Sequence, residues 1–173
     1  MKTAPTQRRR GALAALAAIV ILGLALAGGA WRLAGRDAPP TSTADEPYYA
    51  STQDLEAKAQ AVIRATIRSA TGDDRHGYPE TTASADVRAI AKGSLAVGQP
   101  IALSYTTPGS GPETADLKVG GEYVLLLELD GSNPAHLINS TQGWYQVTAG
   151  RAVAGPSNDV KLSPAVKTAL GLA

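Results

Sequence analysis

The stretch at residues 57–69, AKAQAVIRATIRS, decides the fold because apolar and polar side chains alternate along it. Alanine or isoleucine occupies every second position from Ala57 to Ile67, and the positions between them are polar except for Val62. A period of two residues is typical of a β-strand with one buried face. The stretch therefore predicts a half-buried strand. Because alanine favours strands only weakly, a helical start over residues 54–61 is an open alternative.

A second alternating run predicts the partner of this strand. Residues 83–92 place alanine or valine at every second position from 83 to 91, with mostly polar side chains between them. The connecting residues 70–82, ATGDDRHGYPETT, are rich in turn formers. The two runs therefore predict a long antiparallel hairpin, on which Arg64 or Arg68 could pair with Asp86.

The remainder of the chain predicts shorter elements. Strands are expected at 101–105, 123–129, about 135–140, 144–149 and 151–154, and the last two are expected to form a hairpin that turns near Ala149 and Gly150. Both faces of the stretch at 123–129, YVLLLEL, are apolar up to Leu127, which predicts a central strand covered on both sides. Ser163 and Pro164 predict the start of a short helix over 165–170 that Gly171 ends.

The N-terminus carries the features of a membrane anchor. Residues 11–30, GALAALAAIVILGLALAGGA, contain no charge and would span about 30 Å as a helix, the thickness of a bilayer core. Trp31 follows at the position of an interfacial aromatic, so the predicted transmembrane helix covers 11–31. The positive-inside rule places the basic tail 1–10 in the cytoplasm and the C-terminal part outside the cell membrane.

A cleaved signal peptide is the alternative interpretation of the same residues. The basic head, the apolar run and the small residues around Ala25 and Ala27 fit a cleavage site. Either interpretation exports residues 32–173. Of these, residues 32–54 contain three prolines and no apolar periodicity and are predicted to be an extracytoplasmic linker. Residues 55–173 form the predicted β-domain.

Composition excludes several classes of function. The chain has no cysteine and two histidines, which excludes disulfides and cysteine-ligated metals and leaves no basis for a metal or other cofactor. Residues 57–173 carry ten basic and ten acidic side chains, so no basic surface for nucleic acid is expected. The acidic turn at 72–77 lacks the spacing of a calcium loop and is expected to be solvated, although weak calcium binding at Asp73 and Asp74 is an alternative.

Candidate site residues are few. The sequence contains neither a Gly-x-Ser-x-Gly nor a Ser-x-x-Lys motif, so no catalytic residue is assigned and the domain is not expected to be an enzyme. Trp144 and Tyr145 are adjacent, and a strand would direct them to opposite faces. One of them should enter the core and the other should stay partly exposed as a ligand contact, for a sugar or a peptide.

Three segments carry a resemblance to a known group of proteins. They are KGSLAVG at 92–98, LKVGGEYVL at 117–125 and QGWYQV at 142–147, placed after the long hairpin. In this order they resemble the small exported bacterial domains with an OB-like, TIMP/netrin-like five-stranded barrel, over residues 57–155. The metalloproteinase inhibitors of that fold use an N-terminal cysteine at the target metal. This chain has none, so the resemblance implies the fold and not that activity.

The resemblance and the patterns together predict a mainly β fold. We expect a five- to six-stranded antiparallel OB-like barrel with a short C-terminal helix, preceded by one N-terminal transmembrane helix. The predicted core consists of Ala61, Ile63, Val87, Leu103, Val124 or Leu125, and Leu127. The expected function is a non-catalytic envelope module that contacts the lipid bilayer through 11–30 and binds an envelope protein or ligand. The alternatives are a secreted soluble domain released by signal cleavage and, less favoured, an exported hydrolase.

Overall fold

The computed structural model describes residues 46–74, 79–111, 113–129, 131 and 134–173. Within these ranges the chain forms two helices and seven strands. They are α1 (Thr52–Lys58), β1 (Ala61–Asp73), β2 (Glu80–Lys92), β3 (Pro100–Thr106), β4 (Glu122–Glu128), β5 (Ala135–Leu137), β6 (Trp144–Thr148), β7 (Arg151–Ala154) and α2 (Pro164–Ala169). Neither helix is long and apolar enough to cross a bilayer. The predicted basic tail 1–10 and the predicted transmembrane helix 11–31 lie outside the described residues.

Five of the strands close into a barrel in the order β1-β2-β3-β5-β4, and β4 pairs back with β1. The closing register runs from Ala61 opposite Leu127 to Thr66 opposite Glu122. β6 and β7 are not part of the barrel. β6 pairs with a stretch of β4 next to the one that pairs with β5, and β7 pairs only with β6. The closed five-stranded barrel is consistent with the predicted OB-like architecture.

The prediction of a purely antiparallel sheet is wrong at one place. β3 and β5 pair in parallel, with Leu103 opposite Ala135 and Ser104 opposite His136. The cause is the position of β4, which runs antiparallel to both β1 and β5. Because β1 and β3 both run antiparallel to β2, β3 and β5 have the same direction where they meet.

The start of the first strand also differs from the prediction. Residues 52–58 are helical, and β1 begins at Ala61 rather than at Ala57, so the helical alternative is the one that the structure confirms. The Ser51 side chain caps α1 by accepting a hydrogen bond from the backbone N–H of Asp54. The first two apolar positions of the alternating run, Ala57 and Ala59, are alanines, which favour helices over strands, so the alternation alone placed the boundary too early.

Two apolar clusters lie on opposite faces of β4. The first, here called the barrel core, contains Tyr123, Leu125 and Leu127. The second, here called the outer cluster, contains Val124 and Leu126 and is completed by residues from α1, β6 and the C-terminal tail. The prediction of a central strand covered on both sides is confirmed.

The predicted core residues divide between these two clusters. The barrel core contains Ala61, Ile63, Val87, Leu103, Leu125 and Leu127. Val124, the alternative to Leu125, belongs to the outer cluster, as does Val62, the apparent exception in the alternating pattern. Val62 is therefore buried by the outer cluster, which the alternating pattern of one strand could not predict.

The charged side chains of the hairpin confirm one of the two predicted pairs. Arg68 Nε donates to Asp86 Oδ2 at 2.6 Å. Arg64 instead donates to both carboxylate oxygens of Glu122 on β4, at 2.8 and 3.1 Å, and to the carbonyl of Leu170 at 3.3 Å. Barrel closure places β4 directly beside Arg64, so this side chain ties β1, β4 and the end of α2 together.

Residues 46–50, here called the strap, pack against the loop between β5 and β6. The Tyr49 N–H donates to Gln142 Oε1 at 2.8 Å, and Gln142 Nε2 donates to the Tyr49 carbonyl at 2.9 Å. The Glu46 carboxylate accepts from the N–H and the hydroxyl of Ser140 at 2.6 and 2.9 Å. This part of the predicted linker 32–54 is therefore hydrogen-bonded to the β-domain.

Candidate binding cleft

A cleft of about 360 Å³ opens where the extra hairpin leaves the barrel. The segment that follows β3 and the β6–β7 hairpin both border this cleft. The lining consists of Thr114, Asp116, Thr141, Trp144, Gln146 and residues 153–157. The cleft is thus built by the segment at Thr114 and Asp116 and, about 25 residues further along the chain, by the region of the β6–β7 hairpin.

Trp144 forms a fixed part of the cleft lining. Its ring meets Tyr123 edge to face, with ring centroids 6.0 Å apart, and its Nε1 donates to the Ser140 carbonyl at 3.0 Å. A Cβ at Gly155 would lie only 2.9 Å from the ring atom Cζ2, so glycine is needed for this close packing. Because the ring is held by packing and by a hydrogen bond, the cleft needs no rearrangement of Trp144 to form.

Tyr145 lies on the opposite face of β6, in the outer cluster. Its hydroxyl donates to the carbonyl of Val160 at 2.7 Å. Trp144 is 6% exposed and Tyr145 is 2% exposed, so the expectation that one of them stays partly exposed is wrong. The C-terminal tail covers Tyr145, so neither of the two side chains is left open to solvent. Of the two candidate contacts, Trp144 lines the cleft, and its role as a ligand contact stays a prediction.

Burial raises the pKa of Tyr145 to about 12 from the ordinary value of 10.0, although the nearby Asn158 side chain acts in the opposite direction. Since the folded state holds this proton more tightly than the unfolded state, the contribution to stability is complete below pH 10 and is lost as the pH rises towards 12. We expect a decrease on the order of 1 kcal/mol per pH unit in this window. Urea titrations at several alkaline pH values would measure it.

The Tyr145→Phe variant provides the control for this alkaline decrease. Phenylalanine keeps the ring in the outer cluster but cannot ionise, so the variant should be less sensitive to pH between 10 and 12. The variant also leaves the Val160 carbonyl without its donor, which should lower stability at neutral pH by about 1–3 kcal/mol. An equal alkaline slope in both proteins would contradict the assignment to Tyr145.

The charge and polarity of the cleft lining are uneven. Asp116 is the charged side chain in the lining. Its Oδ2 lies 3.2 Å from Lys118 Nζ, and because Lys118 is largely exposed, this ion pair contributes little to stability. Val153 is 49% exposed on the opposite side, directly across β6–β7 from Gln146. The cleft therefore combines an accessible carboxylate with an exposed apolar side chain.

A row of polar residues on the outer side of the barrel is the alternative to the cleft, as a candidate site for a hydrolase. His136 is in register with Ser104 on β3 and with Glu128 on β4. Ser104 is 2% exposed, and its hydroxyl donates to Glu80. A buried serine that is already hydrogen-bonded is not placed to attack a substrate, so this row supports a hydrolase poorly.

A metal site also has little support. The described residues contain no group of three or more potential metal-ligating side chains. Asp73 ends β1 and Asp74 follows it, but residues 75–78, including His76, lie outside the described ranges. Weak calcium binding at this turn therefore stays an untested alternative.

Most of the cleft residues were not predicted from the sequence. The hairpin turn was confirmed, since Ala149 and Gly150 both have positive φ, but its proximity to Asp116 required the fold. No protein-family model and no curated protein sequence matches the chain. The function of the cleft must therefore be inferred from its own geometry.

Proposed function

We propose that this chain is a non-catalytic binding module of the cell envelope. The observation that carries the proposal is the preformed cleft beside the β6–β7 hairpin, where Trp144, Val153 and Asp116 lie around one opening. Sites that recognise ligands are commonly concave and largely preformed, with placed polar groups that orient the ligand. The ligand is an envelope protein or a smaller envelope component, and the domain has no role in nucleic-acid binding.

The membrane location belongs to the same proposal. Residues 11–31 anchor the chain as a single transmembrane helix, with 1–10 in the cytoplasm and the β-domain on the extracytoplasmic side. The charge distribution and apolar length of this segment support the orientation. We also propose that the domain belongs with the small exported OB-like, TIMP/netrin-like domains. The closed five-stranded barrel supports this assignment.

The anchor can be tested in cells that express the full chain. We expect the protein in the membrane fraction, with an intact mass that includes the N-terminal residues, and digestion of the β-domain by protease added outside the inner membrane. The alternative, a secreted domain, predicts a soluble protein whose N-terminus follows Ala27. Recovery of that shorter product would replace the anchor with a signal peptide and would leave the cleft proposal intact.

The cleft can be tested by site-specific photo-crosslinking in the same cells. A photo-reactive amino acid at position 153 would lie in the cleft, and the same group at position 97 is the matched control, because Val97 is a similarly exposed valine outside the lining. We expect a light-dependent adduct from position 153 and none from position 97. Equal adducts at both positions, or none at position 153, would contradict a binding role for the cleft.

A further inference from the structure

The hairpin that borders the cleft ends in an edge strand. β7 pairs with β6 on one side and has no other strand partner in the described part of the chain. The strand is short and begins with the charged Arg151, which limits pairing at the end near the turn, but its last three residues are uncharged and contain no proline. β7 is therefore a place where another extended segment could be added.

The turn geometry identifies which backbone groups face outward. Positive φ at both Ala149 and Gly150 defines a two-residue type I′ turn, in which the closing pair, Thr148 and Arg151, is hydrogen-bonded. Hydrogen-bonded and non-hydrogen-bonded pairs then alternate along the hairpin. Val153 therefore bonds to β6, whereas the N–H and C=O groups of Ala152 and Ala154 point away from it.

These outward groups are without partners among the described residues. The backbone hydrogen bonds outside the sheet ladders include none from Ala152 or Ala154. The two alanine side chains pack against the outer cluster, so the backbone N–H and C=O groups are the part of each residue that is left without a partner among the described residues. Four backbone groups are thus available along a short edge, and each can make a hydrogen bond with an added strand.

The cleft reaches this edge at Ala154, which lines it together with residues 155–157. Thr114 and Asp116 also belong to the lining, and Ala152 lies next to the cleft on the same strand. A cleft lined by these two segments admits a single extended chain more readily than the broad sheet edge of a second copy. Asp116 is the charged side chain of the lining, and because its ion pair with Lys118 is exposed and weak, a basic side chain of a ligand can also pair with its carboxylate.

We propose that the cleft binds an extended peptide segment of a partner protein, which adds a strand to β7 and places a basic side chain towards Asp116. Backbone pairing with Ala152 and Ala154 supplies affinity, and side chains supply specificity. The peptide residue opposite Val153 directs its side chain to the same face as Val153, and the basic residue lies two positions away because alternate side chains share a face. This inference rests on the proposed binding function and specifies its ligand class.

The edge assignment itself has a direct test in paired proline variants. Ala154→Pro removes an N–H that faces outward, so it should change the melting temperature by only a few degrees. Val153→Pro removes an N–H that bonds to β6, and it should lower the melting temperature by about 10 °C. Thermal unfolding of the full chain in nanodiscs would measure both. The reverse order would show that the outward groups have been assigned to the wrong residues.

Peptide binding can be tested with a phage-displayed library of random peptides of about twelve residues, selected against the full chain in nanodiscs. We expect enriched sequences with an apolar residue two positions from lysine or arginine. Their affinity should fall at least about tenfold for Ala154→Pro and Val153→Arg, and less for Asp116→Asn. The matched control, Val97→Arg, should bind like the unchanged protein.

Synthetic peptides separate backbone pairing from side-chain contacts without altering the protein. Methylation of the peptide amide that faces Ala154 should abolish binding, whereas methylation of the neighbouring amide should have little effect. Equal sensitivity at both amides, or binding that Ala154→Pro leaves unchanged, would overturn strand addition while the cleft could still bind ligand. Failure to enrich any peptide, or a concentration-dependent dimer abolished by Val153→Arg, would also overturn it. Failure of the proposed function would instead appear in cells, as the loss of crosslinking at position 153.

Discussion

Replacing Leu127 with alanine should lower the free energy of unfolding by about 2–5 kcal/mol, because the change removes a fully buried side chain from the barrel core. Leu127 lies on β4 opposite Ala61 of β1, at the pairing that closes the barrel. It is also opposite Leu137 of β5. A cavity at this position therefore weakens packing against both neighbouring strands, β1 and β5. The cavity cannot easily collapse, because the flanking backbone is held by pairing within the sheet.

Urea titration monitored by circular dichroism would measure this loss. Val119→Ala is the matched control, since Val119 is 59% exposed and its truncation should change stability by less than about 0.5 kcal/mol. A loss below about 1 kcal/mol for Leu127→Ala would mean that β4 is not a central strand of the folded protein.

Gly143→Ala should destabilise the domain by about 1–3 kcal/mol or more, although the substitution adds only one methyl group. The added Cβ would lie 2.5 Å from the Asn139 carbonyl oxygen and 3.1 Å from the Leu137 side chain. The Gly143 N–H donates to that same Asn139 oxygen, and the Gly143 carbonyl accepts from Leu126. The backbone therefore cannot move away without breaking hydrogen bonds on both sides.

Gly72→Ala is the matched control for this second prediction. Gly72 lies in β1 with no atom within 4 Å of the added Cβ and has no positive φ. The substitution should be neutral or should stabilise the domain by up to about 1 kcal/mol, because alanine restricts the unfolded chain. Chemical denaturation of the two variants would compare them. Similar stabilities would show that the loop before β6 is not packed as tightly as the structure places it.

The barrel could be predicted from the sequence because its strands carry their burial pattern locally. Alternation over residues 61–67 and 83–87, and apolar residues on both faces of 123–127, identify the main strands and most of the core. The turn at Ala149 and the helix cap at Ser163 have equally local signals, and the structure confirms both. Local chemistry determines these elements, so they are visible without knowledge of the fold.

The outer cluster could not be predicted because its members share no local pattern. Leu55 lies on α1, and Val160, Leu162 and Leu170 come from a tail with no alternating run. Their convergence on β4 and β6 explains the burial of Tyr145. The sequence predicted that either Trp144 or Tyr145 would stay partly exposed. The cleft was missed for the same reason, since Asp116 and Val153 meet only through the barrel topology.

The shared position of β4 has a consequence for how the domain folds. The β1–β2 hairpin joins neighbours in sequence and can form early, but barrel closure requires β4 to find β1 after a long connection, at a cost in loop entropy. Until the C-terminal tail arrives with Leu170, the outer face of β4 has no complete apolar cover. The barrel core needs residues as far as Trp144, and the outer cluster needs residues as far as Leu172. The domain should therefore complete its native structure late and in one cooperative step.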